Sequence, residues 1–300
     1  MKISSSDTLG IFSFDAGGAE LLANLIKDLP NPKKFFVSGP AISVFLKYFP
    51  KFELAEFLGD LLDIDILISS TSWQSDLCFN GIKAGKEKNI KTIVVLDHWI
   101  YFEDRFQREN ETIAPDEIWV VDEMALSLIK TIFPSVPVKI VANKYFEVLK
   151  NEARELCIQP NPSQILYVCE PISEHAKLRY GNPRKWGYTE IEALNYFLDN
   201  LENLGMLDKK IIIRPHPSEP QDKYDWLKEK RMENISLSDG KPLIHEITKC
   251  SSVVGCESMA MVVALELGKK VYSSIPPGGR ECVLPHESIE KIKYILENKR

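Results

Sequence analysis

Histidine is scarce in this chain. There are five in 300 residues, at 98, 175, 216, 245 and 286, and no two share a metal-ligand spacing. Zinc sites need such clustering, so no metal centre and no cofactor are expected. The six cysteines form no CxxC pair and sit mostly among apolar neighbours, as isolated thiols do in a reducing compartment, which argues against a disulfide framework. No run of about 18 apolar residues occurs, so no bilayer-spanning helix is expected. The first residues, "MKISSSDTLGIFSF", lack the apolar core of a secretory signal, which points to the cytoplasm, with membrane contact at most peripheral and at the inner face. No basic tract stands out against a net charge of −6, so nucleic acid is not expected as a partner. No GxGxxG fingerprint is present either, which argues against a nicotinamide or flavin enzyme.

What is present is a soluble balance, 44% apolar and 27% charged, in a chain long enough for two domains. Short apolar runs alternate with helical patterns. Strands are expected at 8–14, 33–39, 63–70, 91–97, 116–122 and 138–143, with helices at 18–29, 40–49, 74–89 and 123–133 between them. Runs that are apolar on both faces and separated by helices indicate parallel βαβ units. A polar segment with two prolines, "NEARELCIQPNPSQ", reads as a linker. The alternation then resumes, with strands at 164–170, 209–215, 235–240, 251–256 and 269–276. Helices are expected at 188–205, 222–232, 242–250 and 257–268 in this half. The expected fold is therefore α/β, with two Rossmann-like domains facing a central cleft. Residues 1–150 form the first domain, 151–163 the linker, 164–286 the second domain and 287–300 a C-terminal helix.

In parallel α/β sheets the ligand-bearing loops follow the carboxyl ends of the strands. The first strand runs into "FDAGGAE", where Asp15 ends the strand and Gly17 and Gly18 let a backbone or substrate approach. An acid on the dipole of the following helix is the plainer alternative for Asp15. The third strand ends in "SSTSWQSD", which places Trp73 at a helix start beside hydroxyls able to cap it. The fourth ends in "LDHWIYFEDRF", where Asp97 and His98 precede Trp99 and further aromatics. Polar groups beside aromatic surface suit a polyhydroxylated ligand, although the same loop could be anchored by its aromatics. In the second half the loops are "CEPISEH" with Glu170, "IRPHPSEP" with Arg214 and His216, "VGCESMA" with Glu257 and Ser258, and "SSIPPGG" with Ser274. Pro215 and Pro217 restrict the backbone around His216. A cation, a histidine donor and a helix N-terminus together suit a nucleotide phosphate. Glu257 suits ribose hydroxyls better than phosphate.

The motif "RPHPSEP", with "CSSVVGCESMAMVVALELGKKVYS" further on, resembles the C-terminal half of GT-B glycosyltransferases. It is similar in particular to bacterial enzymes that build capsule or lipopolysaccharide from nucleotide-activated sugars, including the Kdo- and sialic-acid-transferring groups with an HP motif. The second stretch also resembles the nucleotide end of the UDP-GlcNAc 2-epimerase fold. The resemblance implies that Arg214 and His216 contact the donor phosphate, that Glu257 and Ser258 hold the nucleotide, and that the N-terminal half binds a glycan or lipid-linked acceptor. A metal-independent sugar transfer then needs a base for the acceptor hydroxyl, with Asp15 first and Asp97 or His98 second. A nucleotide-sugar epimerase or hydrolase is the rival reading. The double glycine before an acid that marks epimerases at this helix is absent, since the sequence is "GCES". A non-catalytic nucleotide-binding relative is the third reading.

Overall fold

The computed structural model describes residues 3–56, 61–72, 74–109, 111–220, 222–230 and 233–299. It divides into two compact units, Met1–Tyr145 and Phe146–Arg300.

Unit one holds strands β1 (Leu9–Ser13), β2 (Lys33–Val37), β3 (Ile66–Ser69), β4 (Lys91–Val95), β5 (Gln107–Arg108), β6 (Glu111–Thr112), β7 (Glu117–Val120) and β8 (Val138–Ile140). Its helices are α1 (Ala16–Ile26), α2 (Ala41–Tyr48), α3 (Leu77–Glu87), α4 (Phe102–Phe106) and α5 (Glu123–Ile132). Six strands form one sheet in the order β2-β1-β3-β4-β7-β8, parallel throughout. β1 and β3 are buried along their whole length, as strands covered on both faces must be. The small β5–β6 hairpin stands apart as an antiparallel pair.

Helix α6 (Lys144–Glu155) carries the chain into unit two. There follow β9 (Asn161–Val168), α7 (Ile172–Tyr180), α8 (Glu190–Asp199), α9 (Leu201–Leu204), β10 (Lys210–Arg214), β11 (Ile235–Leu237), α10 (Leu243–Lys249), β12 (Cys250–Gly255), α11 (Met259–Glu266), β13 (Lys270–Ser273), β14 (Ile289–Lys291) and α12 (Ile292–Glu297). The sheet order is β11-β10-β9-β12-β13-β14, again all parallel. Local chemistry sets the helix limits. Thr189 and Glu192 form a reciprocal capping box at the start of α8, and Gly205, at φ +69°, ends α9.

Several expectations change. The segment expected as a linker, 151–163, carries the end of α6 and the first residues of β9, because α6 is amphipathic and buries Phe146 on one side. The expected helix over 188–205 is two helices that meet at Asn200, whose φ of −111° leaves helical geometry. The expected helix over 222–232 is a 3-10 segment at Asp225–Lys230, with 231 and 232 outside the described residues. The C-terminal stretch, expected as one helix from 287, first adds β14 to the sheet. Ile289 is buried and Glu290 exposed, a two-residue alternation hidden inside a helical-looking run.

Both sheets reverse direction at one place. In unit one the chain leaves β1 for β2 on one side and returns to β3 on the other. In unit two it builds β9, β10 and β11 outward, then crosses to β12 on the far side of β9. Ligands of open α/β sheets bind outside the carboxyl ends of strands at such reversals, so two places are marked out by topology alone.

Candidate functional site

At the reversal in unit one, Asp15 follows β1 and Ser72 follows β3. Ser72 Oγ donates to Asp15 Oδ1 at 3.0 Å, and Ser13 and Ser70 pair their hydroxyls beneath at 2.9 Å. Burial raises the Asp15 carboxyl to about 6; the Ser72 hydrogen bond and the Arg105 charge oppose the rise, and Asp97 adds to it. Asp97 follows β4 and is buried. Arg105, from α4 and also buried, donates to Thr71 Oγ1 at 2.8 Å and stands 3.9 Å from Asp97 Oδ1. The Asp97 Oδ1 atom is inaccessible and accepts no hydrogen bond among the described residues. His98 Nε2 lies 4.0 Å from Asp97 Oδ2. Burial depresses this imidazole to about 4, against the pull of Asp97, so it is neutral at physiological pH.

The two glycines have a local explanation. A Cβ at Gly17 would lie 2.9 Å from Asp97 Oδ2, and one at Gly18 would lie 2.8 Å from Ser70 Cβ. Their lack of side chains lets the first turn of α1 close on Asp97 and Ser70. Trp99 is buried and donates from Nε1 to Asp122 Oδ2 at 2.8 Å, while Asp122 also caps α5 through Ala125 N–H. It anchors its loop on the domain instead of presenting the open aromatic surface expected for an acceptor. Trp73 lies outside the described residues.

At the reversal in unit two, Glu170 follows β9 and Glu257 follows β12. Glu257 N–H donates to Glu170 Oε2 at 3.0 Å. Burial, and then the neighbouring Glu257 charge, raise Glu170 to about 8. Glu257 is raised too by burial, and the charge and hydrogen bond of Arg280, which pairs with its carboxylate, oppose the rise. Arg280 lies 3.9 Å from the centre of the Trp186 ring, and its backbone N–H donates to Trp186 O at 2.9 Å. Glu257 Oε2 and Tyr188 Oη beside it are buried without a hydrogen bond among the described residues. Ser258 caps α11 by accepting from Ala260 N–H at 3.2 Å. Ser274, expected among the donor ligands, has no accessible surface; its hydroxyl bonds Tyr167 Oη at 3.0 Å and Gly255 O at 3.1 Å, inside the core.

The "RPHPSEP" turn closes β10. Arg214 pairs with Glu246 and donates to Lys241 O, so its charge secures β10 to α10. His216 Nδ1 lies 2.7 Å from Ser218 Oγ and 3.2 Å from Ser218 N. A backbone N–H can only donate, so Nδ1 is the acceptor and the neutral ring carries its proton on Nε2. Burial depresses His216 below its ordinary value, so this Nε2–H donor is the form present near neutrality.

Arg105, Ser72, Arg280 and Tyr188 were not foreseen. Arg280 follows "SSIPPGG" in a strand-end loop, where the same rule finds it; Arg105 lies within the quoted "LDHWIYFEDRF", on the short helix that follows the loop residues singled out there. Among the described residues no group of three His, Cys, Asp or Glu is placed to hold a metal ion, and no helix is long and apolar enough to cross a membrane. Elsewhere, a hollow of 820 Å³ opens beside the amino end of β2, lined by Asn31, Lys33, Phe49 and Phe52 among others. Lys33 there is spent on the carbonyls of Leu29 and Asn31.

No family model matches the chain, and no curated protein matches it by sequence. Solved structures do match. The UDP-GlcNAc 2-epimerase of Methanocaldococcus jannaschii is similar at a TM-score of 0.63 and 13% identity, over 97% of this chain and 91% of that one. The enzyme of Neisseria meningitidis, bound to UDP-GlcNAc, gives 0.61 and 12%, over 97% and 90%. The glycotransferase of kitacinnamycin gives 0.51 and 9%, over 89% and 80%. The fold is thus the GT-B-like α/β fold with Rossmann-type domains that epimerases and glycosyltransferases share.

Proposed function

We propose that the protein acts on a nucleotide-activated sugar and transfers it to a glycan or lipid-linked acceptor. The observation that carries this reading is Asp15, a buried carboxyl poised near 6 at the sheet reversal of unit one. A base tuned towards neutrality by burial is what abstraction of a hydroxyl proton needs. Asp15 takes the proton of the acceptor hydroxyl. The freed oxygen attacks the anomeric carbon, and the bond from that carbon to the phosphate oxygen breaks. In unit two, the His216 Nε2–H and the amides at the start of α11 serve the leaving phosphate, and Glu257, just before that helix, serves the nucleotide. Keeping Glu170 protonated removes one negative charge from the phosphate's surroundings. These groups stand in for a metal, and the reaction proceeds in a chelator.

Asp97 and His98 beside Asp15 also support a second reading, epimerisation or hydrolysis of the nucleotide sugar, because paired acid and base groups serve proton transfer at carbon equally well. Product analysis separates the two. With UDP-, CMP- or GDP-sugar alone, a transferase leaves the donor essentially intact and consumes it once acceptor is added. Conversion of the donor at full rate without acceptor overturns the transferase reading in favour of the second. A fully inert donor panel, with and without acceptor, overturns both.

A further inference from the structure

The "SEP" half of the "RPHPSEP" turn has no part in the chemistry above, yet it sits in a densely bonded polar cluster of unit two. Glu219 has a fully buried side chain. Its Oε2 accepts His216 N–H at 2.8 Å, and its own N–H donates to His216 O at 2.9 Å, so Glu219 closes the turn from both sides. Its Oε1 accepts Tyr224 Oη at 2.9 Å and lies 2.9 Å from Lys223 Nζ. The same ammonium lies 2.6 Å from Glu190 Oε1. Glu190, buried at the first position of α8, accepts the N–H and hydroxyl of Ser173 at 2.9 and 2.8 Å, which fixes the first turn of α7. A third carboxylate, Glu174, stands 3.2 Å from Lys223 on the more exposed side.

One cation therefore neutralises two buried carboxylates that hold three pieces of backbone: the His216 turn, the start of α7 and the start of α8. Buried carboxylates without a partner are costly, so the ammonium decides whether Glu219 stays where it grips His216 N–H. The groups facing the His216 ring are Glu219, Glu174, Lys223 and His175. We infer that Lys223 is a positioning residue: with Glu219 it sets the orientation and the charge surroundings of His216, and so the donor that His216 offers to a phosphate. The link to phosphate rests on the proposed function; the link from Lys223 to His216 does not.

The test is histidine titration by NMR in intact protein, with UDP, CMP and GDP binding measured separately by calorimetry. Lys223→Met should raise the His216 pKa by roughly one unit, because the carboxylates are no longer balanced. Glu219→Gln should shift it the opposite way, since one negative neighbour is gone. Lys223→Arg should restore much of the wild-type titration. Affinity for whichever nucleotide binds the wild type should fall about tenfold in Lys223→Met, a typical cost of a displaced contact. Should Lys223→Met not fold, Glu219→Gln decides, with a lowered His216 titration expected there and a near-wild-type one in Lys223→Arg. A His216 titration unmoved in folded Lys223→Met or Glu219→Gln overturns the inference. Shifted titration with no nucleotide bound by the wild type leaves the inference standing and overturns the donor-site reading instead.

Discussion

At the scale of the residue, two carboxyls hold protons that water would strip from them. Asp15 ionises near 6 in the fold against an ordinary 3.8, and burial is the largest cause. The unfolded chain therefore binds fewer protons between those values, and this residue's contribution to stability falls as pH rises from 3.8 to 6. Asp15→Asn removes that cost. We expect it to be more stable than wild type at pH 7 by about 1 kcal/mol or more, and to lose activity by at least about a hundredfold. The acid limb of the wild-type rate profile, near pH 6, should vanish with it. Melting curves and pH–rate profiles check both halves; a variant of undiminished activity removes Asp15 as the base. Glu170 follows the same sign over a higher window. Held protonated to about 8 against 4.5, it loses stability between those values while a glutamine does not. The melting temperature of Glu170→Gln should therefore gain on wild type steadily from pH 5 to pH 8, and parallel curves would show that Glu170 ionises normally.

At the scale of the element, the legible parts of the sequence were those where local chemistry and tertiary context agree. Ile211 and Ile213 are buried, and the strand they announce is β10. The loops after β1, β3, β4, β9, β10 and β12 were found from strand ends alone, because parallel strands force their ligands there. What was not legible was set by partners remote in sequence. Ile289 makes a strand only because β13 offers it an edge. The charge of Arg214 looked free for phosphate because nothing nearby in sequence names Glu246 as its partner. Ser274 read as an exposed loop hydroxyl because its hydrogen-bond partners lie on β9 and β12. The "PPGG" loop makes a further case. Gly187 has φ +83°, and a Cβ there would lie 2.3 Å from Gly278 O, which is backbone and cannot step aside. Gly187→Ala combines left-handed strain with a clash at the loop that carries Arg280. We expect a loss of about 2–4 kcal/mol in denaturant unfolding. Gly181→Ala, at φ +69° with open space around its Cβ, should cost about 1 kcal/mol from conformation alone. Equal costs at the two sites would show that the Gly187–Gly278 contact is not fixed.

At the scale of the whole molecule, each unit sets polar groups at its own sheet reversal, but the two sets differ in kind. Unit one gathers Asp15, Asp97, His98 and Arg105, titratable groups close to one another. Unit two carries His216, the α11 start and the Glu170–Glu257–Arg280 group, a set of hydrogen-bond donors and acceptors. If the proposed function holds, this division makes ligand binding and chemistry separable by mutation. A nucleotide at a hundred times its dissociation constant stabilises the state that binds it by about 2.7 kcal/mol, which for a domain of ordinary size moves the melting point by roughly 5–10 °C. UDP, CMP and GDP, scanned in turn, should give such a shift for one base. On the proposed function, which assigns His216 and Glu257 to the nucleotide, His216→Ala and Glu257→Gln should abolish the shift. Asp15→Asn, assigned there to the acceptor, should keep it while losing turnover. If Asp15→Asn abolished the shift as well, Asp15 would serve nucleotide binding, and its assignment to the acceptor would be overturned.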